Sequence, residues 1–224
     1  MTTAFIFPGQ GSQSVGMGKA LAADFPQAAA VFAEVDDALS QKLSHLMFEG
    51  PEGDLTLTAN AQPALMAVSI AVLRVLEAEA GLDLAKDAKF VAGHSLGEYS
   101  ALAAAGSFTL ADTARLLRLR GQAMQKAVPV GEVKAPKAPL VANVTASALT
   151  DPAEIRRRLV EQVTGTVRWR ECMAYMAAQG VTTFYEVGAG KVLSGLVKRI
   201  ADTATGISTG TPADVATFKS ARQG

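Results

Sequence analysis

Cysteine is nearly absent: one residue, Cys172, among 224. No disulfide can form within the chain, and a reducing compartment is the expectation. Histidine is almost as scarce, with only His45 and His94. Neither sign of charge is in excess, since 21 Lys and Arg balance 21 Asp and Glu. Without a basic stripe interleaved with aromatics, nucleic acid is not an expected partner. The start, MTTAFIFPGQG, lacks a basic segment followed by a long apolar one, so no signal peptide is read there. The longest apolar-rich segment, Pro63–Val75, is interrupted by Ser69 and Arg74 and reads as too short to cross a bilayer. A soluble, cytoplasmic protein with no membrane partner is the expectation.

What the chain does have is 49% apolar residues and 20 glycines, enough to cover a sheet with helices. Ala4–Phe7 is an apolar run that stops at Pro8-Gly9, the pattern of a buried first strand entering a loop. Gly9–Gly18 reads as that loop, and Lys19–Ser40 as helix broken near Pro26. Gln62–Ala80 carries Leu65, Val68, Val72, Leu73 and Leu76 at helical spacing. Lys89–Ala92 reads as strand, Glu98–Ala105 and Leu110–Ala127 as helices. Beyond the proline-bearing connector Val133–Pro139, strands are expected at Leu140–Val144, Thr183–Val187 and around Ile207. Helices are expected at Pro152–Gln162, Arg168–Gln179, Val192–Ile200 and Pro212–Ser220. This alternation predicts an α/β fold with a mostly parallel sheet covered on both faces.

Between the strand and helix at the centre of the chain stands Gly93-His94-Ser95-Leu96-Gly97, an instance of G-x-S-x-G. That pattern places a serine nucleophile on a sharp strand-to-helix turn, with glycines relieving the crowding. Ser95 then lies at a helix N-terminus, where developing negative charge is favoured. Acyl transfer also needs two N–H groups aimed at the oxyanion. One is the amide of Leu96, the residue after the nucleophile, and the other is expected from the early loop Pro8–Gln13, with Gln10 its natural donor. A phosphate cradle is disfavoured, because neither the early loop nor Gly188-Ala189-Gly190-Lys191 fits a phosphate-binding glycine pattern. His45 reads as a surface residue, Cys172 as a packed thiol, and Glu98 as an ordinary partner of the helix dipole.

Five separated blocks carry a family resemblance: FPGQGSQ near the N-terminus, QPAL at 62–65, GHSLGEYSAL at 93–102, RGQAM at 120–124 and YEVGAGKVLSGL at 185–196. In order and spread they resemble the malonyl-CoA:acyl carrier protein transacylases, which load malonyl units for fatty acid synthesis. The resemblance implies an α/β-hydrolase-like core in which Ser95 takes the malonyl group as an ester. It implies that the amides of Gln10 and Leu96 form the oxyanion hole, and that Arg120 holds the malonyl carboxylate through paired hydrogen bonds. Gln62 and His94 are implied at the substrate cleft. Arg168, in Val167-Arg168-Trp169, matches the position whose backbone carbonyl orients the catalytic histidine. The implied partners are malonyl-CoA and acyl carrier protein. No metal or separate cofactor is implied, since the coenzyme A thioester is itself the substrate.

The same resemblance exposes a gap. The family's histidine and its small ferredoxin-like subdomain belong between the RGQAM block and the strand at Leu140. Here Gly131-Glu132-Val133 runs directly into Lys134-Ala135-Pro136. The expectation is a single core domain over 1–224, a deletion variant with its junction around 131–134. Neither remaining histidine is placed to serve as base, because His94 should point away from the Ser95 hydroxyl. Severely reduced or absent transfer follows, with slow acyl-CoA hydrolysis or a non-catalytic carrier-binding scaffold as alternatives. Apolar surface formerly covered by the subdomain makes self-association a further expectation.

Overall fold

The computed structural model describes residues 2–123 and 132–223. The chain opens with β1 (Thr3–Phe7), then α1 (Lys19–Asp24) and α2 (Pro26–Leu39), where Pro26 sits in the first turn without losing a hydrogen bond. Two short helices, α3 (Leu43–Glu49) and α4 (Glu52–Thr56), lead to the long α5 (Thr58–Ala80) and the single turn α6 (Leu84–Asp87). β2 (Phe90–Gly93) turns sharply into α7 (Gly97–Ala104), and α8 (Leu110–Ala123) follows. The second half runs β3 (Leu140–Ala142), β4 (Ser147–Leu149), α9 (Pro152–Gln162), α10 (Trp169–Ala178), β5 (Thr183–Val187), α11 (Val192–Ile200), β6 (Thr205–Thr209) and α12 (Pro212–Gln223).

The strands form one six-stranded sheet in the order β4-β3-β2-β1-β5-β6, parallel except for β4, which runs antiparallel at the edge. The expected α/β architecture is therefore borne out. β1 lies at the centre, and its alternation sorts the two cores. Phe5 and Phe7 face one side with α2, α5, α7 and α8, while Ala4 and Ile6 face the other with α10 and α11. Helix α5 is buried on every face between Ala61 and Leu73, as a helix with no polar stripe must be. It is longer than the sequence reading allowed, and by length and composition could cross a membrane. Its apolar window is 83% buried inside the fold, which marks it as a core helix.

His45 lies within α3 and is exposed, in line with its expected surface position. Helix α4 and strand β4 were not anticipated, being five and three residues long and too short to carry a period. Residues 124–127 of the expected helix, Met124 of the RGQAM block and Gly131 of the expected junction lie outside the described residues. In the connector before β3, Val133 packs against the core and the Lys134 amide donates to the Ser107 carbonyl at 3.0 Å.

Candidate active site

The turn from β2 into α7 is built by close backbone approach. A Cβ on Gly93 would lie 1.9 Å from the carbonyl carbon of Gly97, and one on Gly97 would lie 2.3 Å from the Phe7 carbonyl oxygen. Both glycines of the motif are thus steric requirements, because the atoms they would strike are backbone and cannot rotate away. Gly9 is the third member, since its Cβ would meet His94 Nδ1 at 2.7 Å and the His94 carbonyl at 2.8 Å. The loop after β1 is therefore pressed directly against the serine turn, and Gln10 follows it.

Ser95 itself has φ 55°, the left-handed region that a non-glycine residue occupies at a cost of about 1–2 kcal/mol. Two side chains hold it there. Its amide donates to Asn143 Oδ1 at 2.8 Å, and its carbonyl accepts from Gln162 Nε2 at 3.1 Å. Asn143 is anchored in turn, its Nδ2 donating to the Gly93 carbonyl at 2.7 Å. The Leu96 and Gln10 amides donate to no acceptor among the described residues. The Gln10 side chain turns outward, its Nε2 reaching Thr58 Oγ1 at 3.4 Å.

Above the serine sits Arg120, 5% exposed. Its Nη2 donates to Ser95 Oγ at 3.0 Å and to Gln162 Oε1 at 3.2 Å, and its Nη1 donates to Gln62 Oε1 at 2.8 Å. The guanidinium carbon lies 5.6 Å from the Tyr99 ring centroid. Among the described residues Arg120 has no ion-pair partner, and its Nε is buried without an acceptor. Two neutral amide oxygens orient this cation without cancelling its charge. A buried, unpaired cation is costly unless an anion joins it, so the arrangement is suited to a ligand carboxylate.

The Arg168 amide donates to the Asn143 carbonyl at 3.0 Å, which ties that segment to the site. The Arg168 carbonyl accepts the Cys172 amide at 2.9 Å as the first bond of α10. His94 packs edge-on against Trp169, ring centroids 5.8 Å apart, and burial holds its pKa below the ordinary imidazole range. Neither His94 nor His45 bonds to the Ser95 hydroxyl, whose partner among the described residues is Arg120. Cys172 is a packed thiol, donating to the Ala142 carbonyl at 3.5 Å with its pKa pushed by burial to about 12.

Glu98 does lie in the first turn of α7, as a dipole partner would, but it is also fully buried, and burial pushes its carboxyl up to about 7 against the opposing pull of Asn143, Gln162 and Arg120. Its Oε2 accepts from the Asn143 amide at 3.2 Å and from Gln162 Nε2. Asn143 and Gln162 were missed altogether. Asn143 leaves a faint trace, a polar residue ending an apolar run, whereas Gln162 reaches the site from the far end of α9 with no local signature.

A model of the acyl transferase domain matches residues 4–167. The chain belongs to the acyl transferase family. It is 35% identical to a malonyl CoA-acyl carrier protein transacylase of Bacillus subtilis (strain 168), with 88% of this chain and 90% of that protein aligned. It is 33% identical to the Escherichia coli (strain K12) protein of the same name, with 95% and 97% aligned. The two alignments run over 289 and 304 positions, more than the 224 residues of the chain, so those relatives carry residues with no counterpart here. The crystal structure of an acyl-carrier-protein-S-malonyltransferase from Bartonella henselae superposes with a TM-score of 0.94 at 41% identity, covering 100% of both chains. A type II polyketide synthase malonyl-transacylase, solved in complex with its acyl-carrier protein, superposes with a TM-score of 0.91 at 29% identity, covering 99% of this chain and 100% of that one.

Proposed function

We propose that this chain is the core of a malonyl-CoA:acyl carrier protein transacylase in which Ser95 forms the malonyl ester. Arg120 carries the reading, as a buried guanidinium without an ion pair set 3.0 Å from a strained serine hydroxyl. In the proposed first half-reaction, Ser95 Oγ bonds to the thioester carbonyl carbon and the carbon–sulfur bond breaks. Coenzyme A leaves as its thiol, taking the proton lost by the serine. The Gln10 and Leu96 amides receive the negative charge of the tetrahedral intermediate, and Arg120 pairs with the free malonyl carboxylate. The carrier protein's phosphopantetheine thiol then attacks the ester and regenerates the serine.

The missing element is a base. With neither histidine bonded to Ser95 Oγ, turnover is expected to fall by about 10⁴–10⁶-fold, leaving what binding and the oxyanion donors supply. We assign the loss to a deletion around residues 131–134 that removed the histidine-bearing segment together with the small subdomain. We place the proposed enzyme in the cytoplasm. Leu57, Leu119 and Val160 are exposed apolar side chains, and self-association of copies through exposed apolar surface is part of the proposal.

Incubation with malonyl-CoA followed by intact-mass measurement tests the reading. A malonyl adduct that disappears in Ser95→Ala supports it. Free malonate without transfer makes the chain a slow hydrolase. Carrier-protein binding with neither adduct nor malonate makes it a scaffold.

A further inference from the structure

We propose that Gln162 is a positioning residue that sets acyl selectivity, its side-chain amide locked in one orientation by Glu98 so that its oxygen holds Arg120 over Ser95. The inference rests on the malonyl reading above and deepens it. An amide side chain has two unlike ends, a donor and an acceptor, and only one orientation suits a neighbouring guanidinium. Here Gln162 Oε1 accepts from Arg120 Nη2 at 3.2 Å, while Nε2 donates to the Ser95 carbonyl at 3.1 Å and to Glu98 Oε2. Turning the amide over would set its NH₂ against the guanidinium and its oxygen against the Ser95 carbonyl and the Glu98 acceptor. Both new contacts would be repulsive.

The buried carboxyl of Glu98 therefore fixes the polarity of Gln162, and Gln162 fixes Arg120. Glu98 is itself fixed by the Asn143 amide at 3.2 Å, on the same Oε2 that receives Gln162. The relay runs from Glu98 in α7 through Gln162 in α9 to Arg120 in α8, and it ends on the strained serine. Gln62 restrains only Nη1 of the guanidinium, the nitrogen away from the serine hydroxyl. Without Gln162, Nη2 keeps the hydroxyl as its single acceptor among the described residues, and the fork that would meet a carboxylate is free to swing.

The test is calorimetric titration of malonyl-CoA and acetyl-CoA into the full chain carrying Ser95→Ala, which prevents turnover. The parent is expected to prefer malonyl-CoA. Gln162→Met, similar in volume but without the amide, should weaken malonyl-CoA binding about tenfold and leave acetyl-CoA within about twofold, the scale of one hydrogen bond to a charged group. Glu98→Gln keeps an acceptor for Gln162 and should retain the preference, whereas Glu98→Met should lose it. Thermal unfolding of each variant checks that it is folded. Should Gln162→Met not fold, Gln162→Glu is read instead, since a carboxylate there would neutralise Arg120 and also erase the preference. An unchanged preference in a folded Gln162 variant, or equal weakening of both ligands, overturns the proposal. A parent that shows no preference overturns the malonyl reading itself, and the two failures are told apart by which protein shows them.

Discussion

Replacing Glu98 by glutamine removes a proton-binding site from the centre of the molecule while keeping its size and one acceptor oxygen. Burial lifts this carboxyl from the ordinary 4.5 to about 7. The folded protein thus holds the proton more tightly than the unfolded chain, and folding takes up a proton between those two values. Stability from this group is fully present below pH 4.5, declines as pH rises through about 7, and is flat above. The displacement corresponds to about 3 kcal/mol at most. The groups facing Glu98 are Asn143 from the turn after β3, Gln162 from α9, Arg120 from α8 and Cys172 from α10, and of these Arg120 is the cation among the groups that limit the rise. The measurement is urea unfolding of parent and Glu98→Gln at a series of pH values from 4.5 to 8. The quantity to read is the difference between the two proteins, which should grow by about 3 kcal/mol in favour of the variant across that range. His94 contributes with the opposite sign, because burial lowers its pKa and costs stability as pH falls, and the subtraction removes it. A difference that stays flat would refute the buried-carboxyl argument.

Three further outcomes can be checked without substrate. Gly97→Ala should cost more than about 3 kcal/mol or prevent folding, since its Cβ would lie 2.3 Å from a backbone oxygen. Gly53→Ala in α4, where a Cβ meets nothing within 4 Å, should stabilise the protein by about 0.5–1 kcal/mol, and urea midpoints measure both. Iodoacetamide at pH 8 should leave Cys172 unmodified in the folded protein and alkylate it fully in urea, because the thiol is buried and its pKa is about 12.

What was legible in the sequence follows from how local each cause is. The apolar alternation of β1 and the periodicity of α5 are written in consecutive residues, and both elements form there, α5 starting at Thr58 ahead of the Gln62 that the pattern marks. The serine turn was equally legible because its constraint is local, two glycines whose missing side chains let three backbone segments meet. Arg120 needed the family resemblance, since α8 also carries Arg115 and Arg118, and only tertiary packing separates the buried arginine from its neighbours. The helix-start position of Glu98 was legible, but its bond to Gln162 was not, because that partner arrives on α9 from more than sixty residues downstream. Asn143 and Gln162 are invisible for the same reason, as a polar residue at the end of a strand or helix has many ordinary uses.

The contact between Arg120 and Ser95 also sharpens what the site lacks. A hydroxyl that accepts from a guanidinium is held in place and made more acidic, yet its own proton still needs an acceptor. Among the described residues Ser95 Oγ has a donor beside it and no base. The oxygen is positioned, its backbone is strained into place, and its neighbouring amides are open, so on the proposed reading the deficit is confined to proton removal. On the proposed transfer this deficit falls unequally on the two half-reactions. A serine hydroxyl is almost wholly protonated at neutral pH and depends on a base to attack. A pantetheine thiol, with a pKa of about 8.5, is already a few per cent thiolate and depends on one less. On that proposal, ester formation is the step most dependent on a base. Any ester that does form meets a carrier thiol better able to attack unaided than the serine was.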